Sequence, residues 1–283
     1  VDIEGIAVLT EHSERLLERY SQQPISCTTE SARMLERIFD SLLDYLDDLL
    51  SGAPNQPVKL FPQYKELLTT LGVERIHPAE LFFPDTSIRY SDQDSHIDAD
   101  TDTLAAGRAQ FERGLLKLLR NSERQTGMDE MVSAVKTLRQ AQHDPGARSF
   151  WSVMQGMLEG LRSEGLPLDL NVKRLCARMN LQMRRTIEGS GSLAERLLKD
   201  ALFFVAASAK STPEMQQIVQ SYGLQGAVPK DYEVTRYGRA DAMAVKRCRE
   251  PLLAAKNSWD KLVAGRLPEA TIFAQACKDF VKA

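Results

Sequence analysis

The four histidines are the residues whose capacity to carry a phosphoryl group can be judged most directly from the sequence. A histidine that carries a phosphoryl group in a helical phosphotransfer domain lies on an exposed helix face, within the pattern H-x-x-K-G. His12 is followed by Ser-Glu-Arg, His77 by Pro-Ala-Glu, His96 by Ile-Asp-Ala and His143 by Asp-Pro-Gly. None of them has the required Lys and Gly, so the sequence predicts that no histidine of this chain accepts phosphate.

Aspartates are concentrated in the segment 86–103, which raises the question of a calcium site. They alternate from Asp98 to Asp102 as in the first half of an EF-hand loop, which also needs Gly at position six and Glu at position twelve. Thr103 and Ala109 occupy those two positions. The segment is therefore predicted to be an acidic loop or linker with few apolar residues to bury. No metal ligand is predicted.

An enzyme with a dispersed site is the main alternative to a binding protein. An all-α prenyl-transferring enzyme would hold Mg²⁺ between two Asp-rich motifs on facing helices. The run Asp44-Tyr-Leu-Asp-Asp48 is the nearest match; it occurs once, and Leu43 and Leu46 explain the same helix as core-facing. A bundle that binds a small ligand also stays open. The sequence predicts no catalytic residue and no cofactor.

Basic residues mark a helix that the pattern predicts over 168–188. The candidate partner-docking residues are Lys173, Arg174, Arg178 and Arg185. Positions 174, 178 and 185 share one helix face, and apolar residues favour the other. This pattern fits a solvated charged face, and it also fits a docking surface for an acidic partner such as the receiver domain of a response regulator.

The composition and net charge of the chain limit the classes of protein to which it can belong. The chain has 283 residues, of which 43% are hydrophobic and 27% charged, with a net charge of −3. These values are typical of a folded soluble protein and give no overall field that would attract nucleic acid. Four dispersed cysteines suggest reduced thiols in the cytoplasm, and no apolar run approaches the ~20 residues of a membrane span. We expect protein partners, without nucleic acid binding or membrane insertion.

Helical periodicity dominates the elements that must position these residues. Apolar residues from Leu35 to Leu50 follow the i, i+3, i+4, i+7 rule until Gly52 and Pro54 end the pattern. Further helices are predicted near 3–20, 62–71, 104–121, 128–142, 147–163, 168–188, 193–209, 213–222, 238–265 and 268–282. Thr29 is the candidate N-cap of the helix that contains Leu35 to Leu50. Gly127 is predicted to lie between two helices, and Pro251 predicts a kink or break. The fold class is all-α, with antiparallel helical bundles resembling degenerate histidine-phosphotransfer domains.

Three parts are predicted along the chain. Residues 1–85 form a helical segment, 86–103 the acidic loop or linker, and 104–283 a helical bundle domain. The chain starts at Val1, already within a helical pattern, so we expect a fragment of a longer protein.

Several sequence runs together resemble a known family. They are Leu50-Ser-Gly-Ala-Pro-Asn-Gln-Pro57, Ile76-His-Pro-Ala-Glu-Leu-Phe-Phe-Pro84, Phe150-Trp-Ser-Val-Met-Gln-Gly-Met-Leu-Glu-Gly160, Asp169-Leu-Asn-Val-Lys-Arg-Leu-Cys-Ala-Arg178 and Arg196-Leu-Leu-Lys-Asp-Ala-Leu-Phe-Phe-Val205. The chain resembles the N-terminal region of the CheA-type hybrid histidine kinases that control type IV pili (ChpA/PilL-like). The FimL pilus scaffold proteins share this organisation, and the resemblance covers most of the chain.

The resemblance implies a two-component signalling protein of the cytoplasm, located at the cell pole. The intact kinase would use ATP and pass phosphoryl groups through a phosphorelay to receiver domains, steering chemotaxis-like control of twitching motility. This chain would be a non-catalytic interaction or scaffold region, with residues 1–85 as a partial pseudo-phosphotransfer bundle. Its partners would be receiver domains or a polar pilus scaffold.

Overall fold

The computed structural model describes residues 3–91, 94–120, 122–190, 192–238 and 242–282. The predicted all-α class is confirmed, since the described residues form helices and no strand. The α-helices are α1 (Glu4–Gln22), α2 (Thr29–Leu50), α3 (Phe61–Thr70), α4 (Thr101–Leu119), α5 (Arg124–Gln140), α6 (Pro145–Arg162), α7 (Leu170–Ile187), α8 (Glu195–Ala207), α9 (Pro213–Ser221), α10 (Ala242–Val263) and α11 (Glu269–Lys282). Short 3₁₀ helices lie at Pro24–Ser26, Pro57–Leu60 and Pro78–Leu81. No helix among the described residues is long and apolar enough to cross a membrane.

Side-chain caps fix where several helices begin. Asp100, Asp144 and Asp169 each accept a backbone N–H at the start of α4, α6 and α7, which satisfies a donor that the helix leaves free. The sequence suggested Thr29 as the cap of α2. The structure corrects this by one residue, because Thr28 and Ser31 form a reciprocal capping box.

The N-terminal helices surround a core of their own. α1, α2 and α3 bury a cluster that includes Leu9, Leu16, Ile38, Tyr45 and Leu67. Every third or fourth residue of α1 and α2 is buried, as the periodicity of the sequence predicted. The expectation that Leu43 faces the core is wrong, because its side chain is 60% exposed, and Leu46 is half-buried.

The second and larger core is organised around α6. This helix packs on α5, α8 and α9, and it is buried on nearly all sides. Trp151, Met154, Leu158 and Leu161 are all fully buried. Trp151 is therefore an anchor of this larger core.

The segment between Leu81 and Thr101 contains no regular helix among its described residues, as expected of a loop. It is anchored to the larger core at its start and near its middle. Phe82 packs edge-on against Phe203 with ring centroids 5.7 Å apart, and the backbone N–H of Tyr90 donates to Ser149 Oγ at 2.8 Å. Residues of the N-terminal part, such as Val58, also join the larger cluster. The boundaries of the three predicted parts remain a prediction.

The break predicted at Gly127 is wrong, and the helix is also unbroken at Pro251, where a kink remains a prediction. Gly127 lies inside α5, which begins at Arg124 after Glu123 adopts a left-handed backbone conformation with φ of 47°. Pro251 lies inside α10. α10 packs mainly on α11, where Trp259 and Phe273 lie 5.4 Å apart, and the described residues of this C-terminal hairpin belong to neither core.

Candidate docking cleft

A charged cleft lies where the loop after α3 meets α7 and α8. Its volume is about 370 Å³. The side chains that line it come from three separate parts of the chain: Arg75, Ile76, His77 and Glu80 from the loop and 3₁₀ helix, Asn171, Arg174, Leu175 and Arg178 from α7, and Arg196, Asp200 and Phe204 from α8.

Positive charge exceeds negative charge in this cleft. Arg178 forms an ion pair with Asp200, and Arg196 pairs with Glu80 at 3.3 Å. The other two arginines of the lining, Arg75 and Arg174, are exposed and make no ion pair within the part of the chain that the structure describes. Two guanidinium charges are thus available to an anionic partner, and arginine suits carboxylates because its planar fork can donate to both oxygens.

His77 lines the cleft, and its half-buried environment favours the neutral ring. Its ring packs against Phe203 and Phe204, with both pairs of centroids 5.4 Å apart. Burial lowers the pKa of His77, and Asp200 and Asp169 oppose this effect without cancelling it. Nδ1 accepts the backbone N–H of Ala79 at 3.1 Å, so the proton of the neutral ring lies on Nε2.

Glu80 connects the cleft to the N-terminal core. The hydroxyl of Tyr64 donates to the Glu80 carboxylate, and burial together with this hydrogen bond raises the pKa of Tyr64. Glu80 also contributes to an adjoining cleft on the α8 side, where the ammonium of Lys199 lies 4.4 Å from the centroid of the Phe83 ring. Burial lowers the pKa of Lys199. The orientation of Glu80 therefore depends on both α3 and α8.

The structure separates the four predicted docking residues. Arg174 and Arg178 line the cleft. Lys173 is half-buried beside it, and Arg185 is exposed in the last turn of α7. Sequence reasoning missed Arg75 and the Arg196–Glu80 pair because these residues meet α7 only through tertiary packing. A role for any of the four in docking remains a prediction.

The Asp-rich run of α2 is engaged by donors of the protein itself. Asp44 accepts the backbone N–H of Gly238 at 2.9 Å, and Asp48 accepts the hydroxyl of Tyr237 at 2.9 Å. These bonds hold the segment after α9 against α2, which gives the aspartates a structural role.

The fold and the cleft together define an all-α module with a charged surface cleft. Residues 97–235 match the model of a family described as FimL scaffold protein second domain. The matched range contains α4 to α9, and therefore the α7 and α8 walls of the cleft. Neither the curated proteins nor the solved structures yield a match to this chain. This part of the chain is similar to a scaffold domain, which is compatible with a non-catalytic role.

Proposed function

We propose that the chain is a non-catalytic scaffold module whose cleft docks an acidic segment of a protein partner. The observation that carries this proposal is that two guanidinium groups without an ion-pair partner among the described residues, Arg75 and Arg174, line one cleft from separate parts of the chain. The similarity of residues 97–235 to a scaffold domain supports it.

A small-ligand site is the alternative, and the lining argues against it. The cleft volume of about 370 Å³ falls within the roughly 300–1,000 Å³ of typical ligand pockets, but such pockets are lined mainly by apolar and aromatic side chains. Here four arginines and two carboxylates line the cleft alongside a few apolar groups. A charged, open lining favours a polar protein segment.

The finer proposal concerns the pathway. The sequence resemblance suggests either the N-terminal region of a type IV pilus chemosensory kinase or a relative of its FimL scaffold. The family match supports the scaffold side, whereas the kinase assignment rests on the resemblance. The partner would then be a response-regulator receiver domain or a pilus scaffold at the pole of the cell, within the cytoplasm, and the output would be twitching motility.

Charge reversal in the cleft tests the proposal. Arg75→Glu with Arg174→Glu should weaken capture of the partner by roughly tenfold, since exposed ion pairs contribute up to about 1 kcal/mol each. Binding to purified receiver domains would be measured by calorimetry at two salt concentrations, and the parent should bind more weakly at high salt.

The matched control places the same charge change elsewhere. Arg113 on α4 and Arg120, the residue directly after α4, are both exposed and lie outside the lining of the cleft. Arg113→Glu with Arg120→Glu should leave binding within twofold of the parent. Equal losses in both double variants would show a general charge effect and would contradict docking in the cleft.

A further inference from the structure

Three potential metal ligands meet at the turn between α5 and α6. His96 and Asp98 come from the acidic segment, and His143 comes from the turn itself. The imidazole centroids of the two histidines are 4.1 Å apart, and His96 Nε2 lies 3.4 Å from Asp98 Oδ1. One potential ligand atom of each residue lies within 4.8 Å of the others.

The backbone holds these three side chains together. The N–H of Ile97 donates to the carbonyl of Gln140 at 3.1 Å, which fixes the acidic segment beside the end of α5. His143 is held by its neighbour, because Asp144 accepts the Ala147 N–H at 2.7 Å and caps α6. The cluster is therefore set by the fold, in addition to its side-chain contacts.

Nearby charged groups both favour and oppose the binding of a cation at this cluster. The C-terminal end of a helix attracts cations, and α5 ends at Gln140, next to the cluster. Arg89 and Arg148 lie in the same pocket and lower its affinity for a cation. The guanidinium of Arg89 donates to the carbonyls of Thr86, Ser87 and Ile88, and that of Arg148 donates to the carbonyl of Asp94.

We propose that His96, Asp98 and His143 form a zinc site that fastens the acidic segment to the α5–α6 turn. Two imidazoles and one carboxylate are a donor set typical of Zn²⁺, with a fourth position left for water, whereas Ca²⁺ and Mg²⁺ prefer oxygen ligands alone. Ligands of a tetrahedral zinc lie about 3.4 Å apart, given bond lengths of about 2.1 Å. His96 and Asp98 already have this separation, and rotation of the exposed His143 side chain would complete the set.

Zinc titration of the full chain tests this inference. All variants would carry Cys27→Ser, because Cys27 is an exposed thiol that could bind zinc independently. After dialysis against chelator, calorimetry should show one zinc ion per chain. At a hundredfold excess over the dissociation constant, zinc should raise the melting temperature by roughly 5 °C or more.

Single substitutions identify the ligands. His143→Gln and Asp98→Asn should each weaken zinc binding by roughly tenfold or more and abolish most of the thermal shift, while leaving the melting temperature without metal unchanged. Asp102→Asn is the matched control, since Asp102 is an exposed acidic residue outside the cluster and should bind zinc like the parent. No saturable binding, or full binding by His143→Gln, would overturn the proposal.

Discussion

Gly114 of α4 and Gly127 of α5 bring two helix backbones into direct contact. A Cβ atom on Gly114 would lie 2.4 Å from the carbonyl oxygen of Gly127, and one on Gly127 would lie 2.8 Å from the carbonyl oxygen of Gly114. Both distances are below any normal contact, and both obstacles are backbone atoms that cannot rotate away. The packing of α4 on α5 therefore requires the absence of a side chain at both positions.

Gly114→Ala should destabilise the protein by about 1–3 kcal/mol, because the helices must separate to admit the methyl group. Gly107→Ala on the same helix is the matched control, since nothing lies within 4 Å of a Cβ there. The control should be neutral or stabilise by about 0.5–1 kcal/mol through helix propensity. Urea unfolding measures both, and equal effects of the two substitutions would contradict the close approach.

Trp151→Ala should lower the free energy of unfolding by about 3–5 kcal/mol, because it empties a fully enclosed site in the core. Trp259→Ala removes the same side chain from a position that is 50% exposed, and should cost less than about 1 kcal/mol. Circular dichroism during thermal unfolding compares the two. A Trp151→Ala variant that melts like the parent would place this side chain outside the core.

The half-buried His77 should make stability depend on pH. Its pKa is lowered from the ordinary value of 6.5, so below pH 6.5 the unfolded chain binds a proton at this ring that the folded chain does not. Stability is therefore complete above pH 6.5 and falls as the pH decreases toward the lowered pKa. Burial also lowers the pKa of His12, which adds to the same trend.

His77→Asn keeps an acceptor for the Ala79 N–H and removes the titrating ring. Its absolute stability should be lower, but the loss between pH 7.5 and pH 5.5 should be smaller than in the parent. Urea unfolding at the two pH values gives this difference. An unchanged difference in the variant would show that His77 does not titrate as its burial implies.

Incubation with a chemosensory kinase core and labelled ATP should leave the chain unlabelled. His12 of α1 packs beside Tyr64 with centroids 5.7 Å apart, His77 is enclosed by Phe203 and Phe204, and no histidine is followed by Lys and Gly in the required places. Stoichiometric, acid-labile phosphate on any histidine would refute this expectation. A phosphotransfer domain labelled under the same conditions serves as the positive control.

The sequence predicted the elements well where the signal was local. Apolar periodicity located α4 to α9 within a few residues, because each of these helices buries one stripe or more of its own surface. Errors arose where tertiary contacts determine the role of a residue. Gly127 was interpreted as a helix breaker, but its role is to let α5 approach Gly114, a requirement that only the partner helix imposes.

The residues of the candidate sites also differ in whether helical spacing or tertiary packing brings them together. Arg174 and Arg178 could be paired from helical spacing, one turn apart on α7. Arg75 lines the same cleft although it lies about a hundred residues earlier in the chain. His143 lies near His96 because a backbone hydrogen bond from Ile97 to Gln140 holds the acidic segment beside the end of α5. No short-range pattern predicts either meeting. The acidic segment lacks the Gly and Glu of an EF-hand loop, and the proposed zinc site combines His96 and Asp98 of this segment with His143 outside it.

The two tryptophans lie in different environments, so their intrinsic fluorescence can report separately on two parts of the chain. One indole is fully enclosed in the α6 core and the other is half-exposed on the C-terminal hairpin, so their emission should differ in wavelength and in access to a dissolved quencher such as iodide. Emission from Trp151 should be blue-shifted and protected from the quencher, so it reports on the core. Emission from Trp259 should be red-shifted and quenchable, so it reports on the hairpin. A binding partner that covers α10 and α11 would thus reveal itself without any added label.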